Sequence, residues 1–154
     1  MSMFPHTVTL YNVETVPGEN MREVTVNQIT VLRGVLLDDQ QAAAARTSGP
    51  ENTDAATLYI PRCVKAVDGA DIHMDDAPAK IYVGPKVFEG AEDKSVLWTL
   101  ATGKNCFFVK GEVVEPDLSF QEINRIHDGV YKVTSVKDRC FGSADLQHFE
   151  VGGA

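Results

Sequence analysis

No stretch of this sequence approaches the about 18 consecutive apolar residues that a membrane-spanning helix needs, so no such helix is expected. The opening residues, Met1-Ser2-Met3-Phe4-Pro5-His6, lack the basic-then-apolar order of a secretory signal. Basic residues are scarce: 14 Lys and Arg face 22 Asp and Glu, a formal net charge of −8. A protein that grips nucleic-acid phosphates needs a basic surface, and this balance disfavours one. Cysteine is scarcer still. Cys63, Cys106 and Cys140 are odd in number and far apart, which points to isolated thiols in a reducing compartment rather than to a disulfide framework.

Motifs that carry chemistry are missing as well. There is no Gly-x-Ser-x-Gly elbow, no cysteine-protease signature, and no Gly-x-Gly-x-x-Gly or Walker spacing. The three cysteines fall in or beside strand-like runs, where cysteine usually acts as a small buried hydrophobe. Carboxylates are many, yet no spacing pairs two of them for acid–base work. Asp71, His73, Asp75 and Asp76 do cluster, and the odd-numbered three would share one side of a strand. Such oxygen and imidazole ligands suit a divalent cation, which would make a small metal-dependent enzyme the alternative reading. The spacing matches no established site, and a solvated acidic loop is the simpler expectation. His6 and His127 are scattered, and His148, on the strand face opposite Phe149, is expected to be packed or interfacial. Phe107 and Phe108 face opposite sides of one strand between Lys104 and Lys110, which favours a core over a base-stacking platform. No catalytic residue, metal or cofactor is therefore assigned.

What the chain does have is a period of two. Its 154 residues suit about one domain, taken as 1–154, with enough chain to bury a core. Val8 and Leu10 alternate with polar residues in 6–13, and Pro17-Gly18-Glu19-Asn20 supplies turn chemistry. The run 23–37 is long for one strand; its apolar phase slips near Asn27-Gln28, which predicts a bulge or bend there, with Gly34 a second bend point. Further strands are expected at 57–60, 81–83, 106–114, 130–136 and 146–151, with weaker candidates at Val87-Phe88 and 95–100. One helix is signalled by a capping box, Ser119 with Glu122, by a staple of Leu118 on Ile123, and by an Asp128-Gly129 stop. The fold class is mainly β: a small barrel or sandwich of six to eight short strands, one short helix and two long loop insertions, about 38–56 and 68–79. Val31, Val35, Ile60, Trp98, Val109, Ile123, Val133 and Phe149 are the expected core.

The last third carries a resemblance. Trp98-Thr99-Leu100, Gly103 and Val109-x-Gly111 lead through the helix to Val130-Tyr131-Lys132-Val133-Thr134-Ser135-Val136, a loop with Gly142-Ser143, and Leu146-Gln147-His148-Phe149-Glu150-Val151. With the early strand at 6–13 and the long strand reaching Gly34-Val35, this resembles small phage and prophage proteins of the head–tail junction, of the head-closure or stopper type. The resemblance implies a β-barrel subunit without catalytic residues, assembled in the host bacterial cytoplasm into a virion ring, commonly of six. Its partners would be further copies of itself, portal and adaptor proteins, and tail-completion or tail-tube proteins. Packaged DNA would pass without specific binding, and no membrane is involved. The insertion at 38–56 would then be a channel or inter-subunit loop, with Asp38, Asp39, Gln40, Gln41, Arg46, Glu51 and Asp54 as its candidate residues. A tail-completion protein of the same junction, or a cytoplasmic binding module with a barrel pocket, remains an alternative.

Overall fold

The hairpin of β1 (His6–Pro17) and β2 (Glu23–Asp39) organises the chain. A computed structural model describes residues 4–39, 56–62, 64–71, 77–102, 106–113, 120–140, 142–143 and 147–154. β2 continues into β3 (Ala56–Pro61), β4 (Lys65–Asp68), β5 (Ile81–Tyr82), α1 (Pro85–Gly90) and β6 (Leu97–Trp98). The second half holds β7 (Cys106–Lys110), α2 (Phe120–Ile126), β8 (Val130–Arg139) and β9 (His148–Gly153). Ladders β1–β7, β7–β8, β8–β9, β9–β3, β3–β2 and β2–β1 close a six-stranded antiparallel barrel, and β4 adds a seventh strand on the free part of the β2 edge. The mainly β barrel expected from the pattern is the architecture found.

Both faces of part of the barrel wall are buried. Inside, Val8, Leu10, Leu32, Leu58, Ile60, Phe108 and Val151 pack with Trp98 and Phe149 and fill the lumen. Outside, α2 lays Phe120 and Ile123 over Tyr11, Ile29, Phe107, Val109 and Val130. Phe107 stacks on Tyr11 with ring centroids 4.7 Å apart, while its neighbour Phe108 points into the lumen. All eight of the expected core residues are buried.

This two-sided burial corrects the reading of β2. The β1–β2 register runs without a break from Thr7↔Arg33 to Pro17↔Glu23, so there is no bulge at Asn27-Gln28. Leu32 faces the lumen and Ile29 the outer cluster, and apolar residues on both faces mimic a change of phase. The real irregularity is at Gly34, which takes φ +90° where the register jumps between His6 and Thr7. That left-handed backbone favours glycine. The Leu37 amide beyond the bulge donates to His6 Nδ1 at 3.0 Å. Val87 and Phe88 form a turn of α1 rather than a strand, because Pro85 at its start fixes a helical φ. In α2, Ile123 is buried, Ile126 is exposed, and Gly129 takes φ +74° at the stop; Ser119 and Leu118 of the expected cap lie outside the described residues.

Candidate functional site

The two rims of the barrel carry different extensions. At one rim Asp39 pairs with Ala56, which pairs in turn with Gly153. The insertion 40–55 therefore leaves and returns at one point of the wall, beside the chain end. Asp38 and Asp39 belong to β2, opposite Thr57 and Ala56, and Asp38 is exposed. Gln40, Gln41, Arg46, Glu51 and Asp54 lie outside the described residues.

At the opposite rim the hairpin outgrows the barrel. The last β7 contact of β1 is Asn12↔Cys106, and the last β4 contact of β2 is Thr30↔Asp68. From Val13↔Asn27 to Pro17↔Glu23 the two strands pair with each other, and no third strand joins them among the described residues. Five pairs at about 3.4 Å per residue give an arm of about 17 Å. At its tip Asn20 and Met21 take φ +63° and +60°, the Gly18 amide donates to the Arg22 carbonyl at 2.7 Å, and Met21 is fully exposed. An ion pair between Lys94 and Glu14 braces the base of the arm.

The segment 77–102 closes this rim. Trp98 enters the lumen, and Tyr82 meets Trp98 at 5.0 Å and Phe149 at 4.6 Å between ring centroids. Arg62, paired with Asp138, lies 4.6 Å over the Phe149 ring. Burial, helped by the Asp138 carboxylate, pushes the Tyr82 phenol above its usual range. Two buried polar side chains fasten the segment. Asn12 Nδ2 donates to the Thr99 carbonyl at 2.9 Å, and the Thr99 amide donates back to Asn12 Oδ1 at 3.3 Å. Lys80 Nζ donates to the Ile29 carbonyl at 3.3 Å, with Asp68 Oδ2 at 3.8 Å. That carbonyl lies one residue past the end of the β4 ladder, so the ammonium takes the place of the missing strand. Burial lowers the Lys80 pKa, and Asp68 opposes the shift.

Cys106 touches Asn12 Nδ2 at 3.6 Å, and burial pushes its thiol up to about 11, so it stays protonated at neutral pH. Cys140 is exposed, and Cys63 lies outside the described residues. Asp71 ends the single turn Gly69–Asp71, while His73, Asp75 and Asp76 lie outside the described residues. Among the described residues no three His, Cys, Asp or Glu stand together as a metal site. His148 is half-buried, 3.5 Å from Glu150 and 6.0 Å from the Tyr59 ring. Sequence reading missed Asn12, Lys80 and the arm. The arm had one signal, the run 23–37 that is long for a single strand; the structure extends it to 17 residues and β1 to 12.

No curated protein and no solved structure matches the chain. A family of unknown function, DUF6751, matches residues 3–154. With almost the whole length covered, the chain belongs to the DUF6751 family.

Proposed function

We propose that this chain is a structural ring subunit of a tailed-phage head–tail connector, of the head-closure type. The observation that carries the reading is the placement of the extensions: the insertion 40–55 leaves one rim of a solid barrel and the β1–β2 arm leaves the other. A ring subunit needs one surface for its lateral neighbour and another for the proteins stacked on the ring, and extensions on opposite rims can divide that work. A lumen filled with side chains suits a scaffold better than a pocket. The C-terminal strand–loop–strand pattern supports the same assignment. With a net charge of −8, a ring of such subunits repels the DNA backbone, so DNA slides through rather than adheres. Closure then rests on steric obstruction, and the insertion that follows Asp38 and Asp39, the last two residues of β2, is the obstructing or inter-subunit arm.

The test replaces residues 41–53 with a short Gly-Ser linker in an inducible prophage that encodes the chain. The subunit still folds, because the described core lies elsewhere. Particles are expected to contain the subunit and to leak packaged DNA or fail to join tails. Fully infectious particles would refute the role of the insertion, and particles that lack the wild-type chain altogether would refute the connector assignment.

A further inference from the structure

We infer that the tip of the β1–β2 arm is a docking knob that seats on the α2 face of a second copy of this chain. The inference rests on the ring reading, and it names the contact that would build the ring. Met21 is 101% exposed, the largest value among the exposed apolar residues, and it takes a left-handed φ that a non-glycine side chain adopts at a cost. Exposed Glu19 and Glu23 flank it. The arm continues the direction of β1 and β2. Strands of a closed barrel tilt by about 40° to its axis, so the arm leaves sideways, toward a lateral neighbour.

The receptor follows from charge. On a chain of net −8, copies repel unless an acidic knob meets a local positive surface. The α2 face offers one. Ile126 is 60% exposed at the end of α2, Arg125 beside it is exposed, and Lys132 is exposed with its Nζ 4.6 Å over the Phe120 ring at the helix start. Exposed Lys110 borders the helix end, its amide donating to the Gly129 carbonyl at 3.0 Å. Glu122 in α2 and Asp128 just after it are the exposed carboxylates of the same stretch, so three cations exceed two carboxylates around the helix, whereas Glu19 and Glu23 exceed Arg22 at the tip. An exposed methionine on a net acidic tip thus matches an exposed isoleucine on a helix with a net basic surround. The other exposed apolar residues among the described ones, Ile81, Val87 and Val96, stand on the capping segment, where Lys80 is buried, Lys94 is paired with Glu14, and exposed Glu89, Glu92 and Asp93 outnumber exposed Lys86, so this surface suits the tip less well. Knob and receptor are different surfaces of one chain, which is the heterologous contact that closes a ring when its rotation closes.

The test uses the full chain with Cys63→Ser and Cys140→Ser, carrying Met21→Cys together with Ile126→Cys. Under mild oxidation, either protein concentrated to about millimolar or assembled particles should give a ladder of covalent multimers; each single cysteine alone should give none beyond background. Arg125→Glu should reduce the multimer yield at least tenfold, and Glu19→Lys with Glu23→Lys in the same chain should restore it. Circular dichroism checks that every variant folds. A ladder from Met21→Cys with Ile81→Cys instead would overturn the receptor. The absence of a ladder in both concentrated protein and particles would overturn the docking, even where the chain is present in particles and the connector assignment stands.

Discussion

Among the described glycines Gly153 leaves the least room for a side chain, and Gly153→Ala measures how rigid the barrel interior is. A Cβ at this position would lie 2.8 Å from Phe108 Cζ, 2.8 Å from Tyr131 Cβ and 3.0 Å from Phe108 Cε1. Ordinary contact begins about 0.6 Å farther out on a steep repulsive wall. Neither neighbour can yield easily. Phe108 is fully buried, with Tyr131 opposite it across the β7–β8 ladder, and Tyr131 Cβ is fixed to the β8 backbone. Forcing extra volume into such a core costs about 1–3 kcal/mol. Reduced freedom of the unfolded chain returns about 0.4–1 kcal/mol. The net expectation is a loss of about 1–2 kcal/mol, which in a chain of this size lowers Tm by about 3–8 °C. Trp98, the single tryptophan and almost fully buried, reports unfolding by fluorescence in urea or on heating. Gly90→Ala is the control, since nothing lies within 4 Å of its added methyl; it should be neutral or slightly stabilising. Phe108→Leu removes the ring atoms that clash, so the double variant with Gly153→Ala should be less destabilised than the two single effects added together. A Gly153→Ala protein as stable as wild type, or strictly additive effects in the cycle, would refute this account of the interior.

Three further outcomes follow from the same packing. Cys106 has its pKa raised from 9.0 to about 11 by burial, so above pH 9 the unfolded chain releases a proton that the folded chain keeps. Stability should fall between pH 9 and 11 by about 2–3 kcal/mol more in wild type than in Cys106→Ala, and parallel pH profiles of the two would contradict the burial. The Thr30 and Thr99 hydroxyls are buried without a hydrogen-bond partner among the described residues. Thr99→Val should therefore raise stability by about 1 kcal/mol in urea titration, and a loss would mean that the hydroxyl is satisfied. Trp98→Ala and Phe149→Ala each empty part of the lumen at about 3–5 kcal/mol, enough to make the protein insoluble on expression; unchanged melting of Trp98→Ala would mean that the segment 77–102 does not plug the barrel, and of Phe149→Ala that β9 does not face the lumen there.

Much of the fold was legible because strands with one wet face write their period into the sequence. β9 is an example: Phe149 and Val151 point inward, while His148 and Glu150 stay half-exposed. β2 was misread for the complementary reason. Where α2 covers the outer wall, Ile29 outside and Leu32 inside are both apolar, and a period of two loses its phase. The bend expected at Gly34 is the true bulge, where the glycine takes a left-handed φ. β4 escaped notice because Lys65-Ala66-Val67-Asp68 is four residues long, with its apolar pair in the middle and no alternation.

The functional surfaces were less legible, and the reason is that each depends on which residues lack a neighbour. Met21 is an unremarkable turn residue in sequence; it becomes a knob because the ladder runs five pairs past Asn12↔Cys106. An isolated two-stranded ribbon is marginal in water, so an arm of this length without a third strand among the described residues gains little stability from its own ladder. The same logic explains Lys80. A lysine between Ala79 and Ile81 looks like a solvated strand residue, yet its side chain is 2% exposed because β4 stops one residue short and leaves the Ile29 carbonyl to it. Binding a charged side chain there, rather than extending β4 by a residue, ties the capping segment to β2 through a group that water competes for once the segment lifts. The segment 77–102 is thereby fixed at three points, the Lys80 ammonium, the Asn12 amide and the Trp98 ring, and the arm braced by Lys94 and Glu14 shares its foundation. β2 in turn runs on from the arm to Asp39 at the opposite rim, so one strand links the arm, the plug and the base of the insertion.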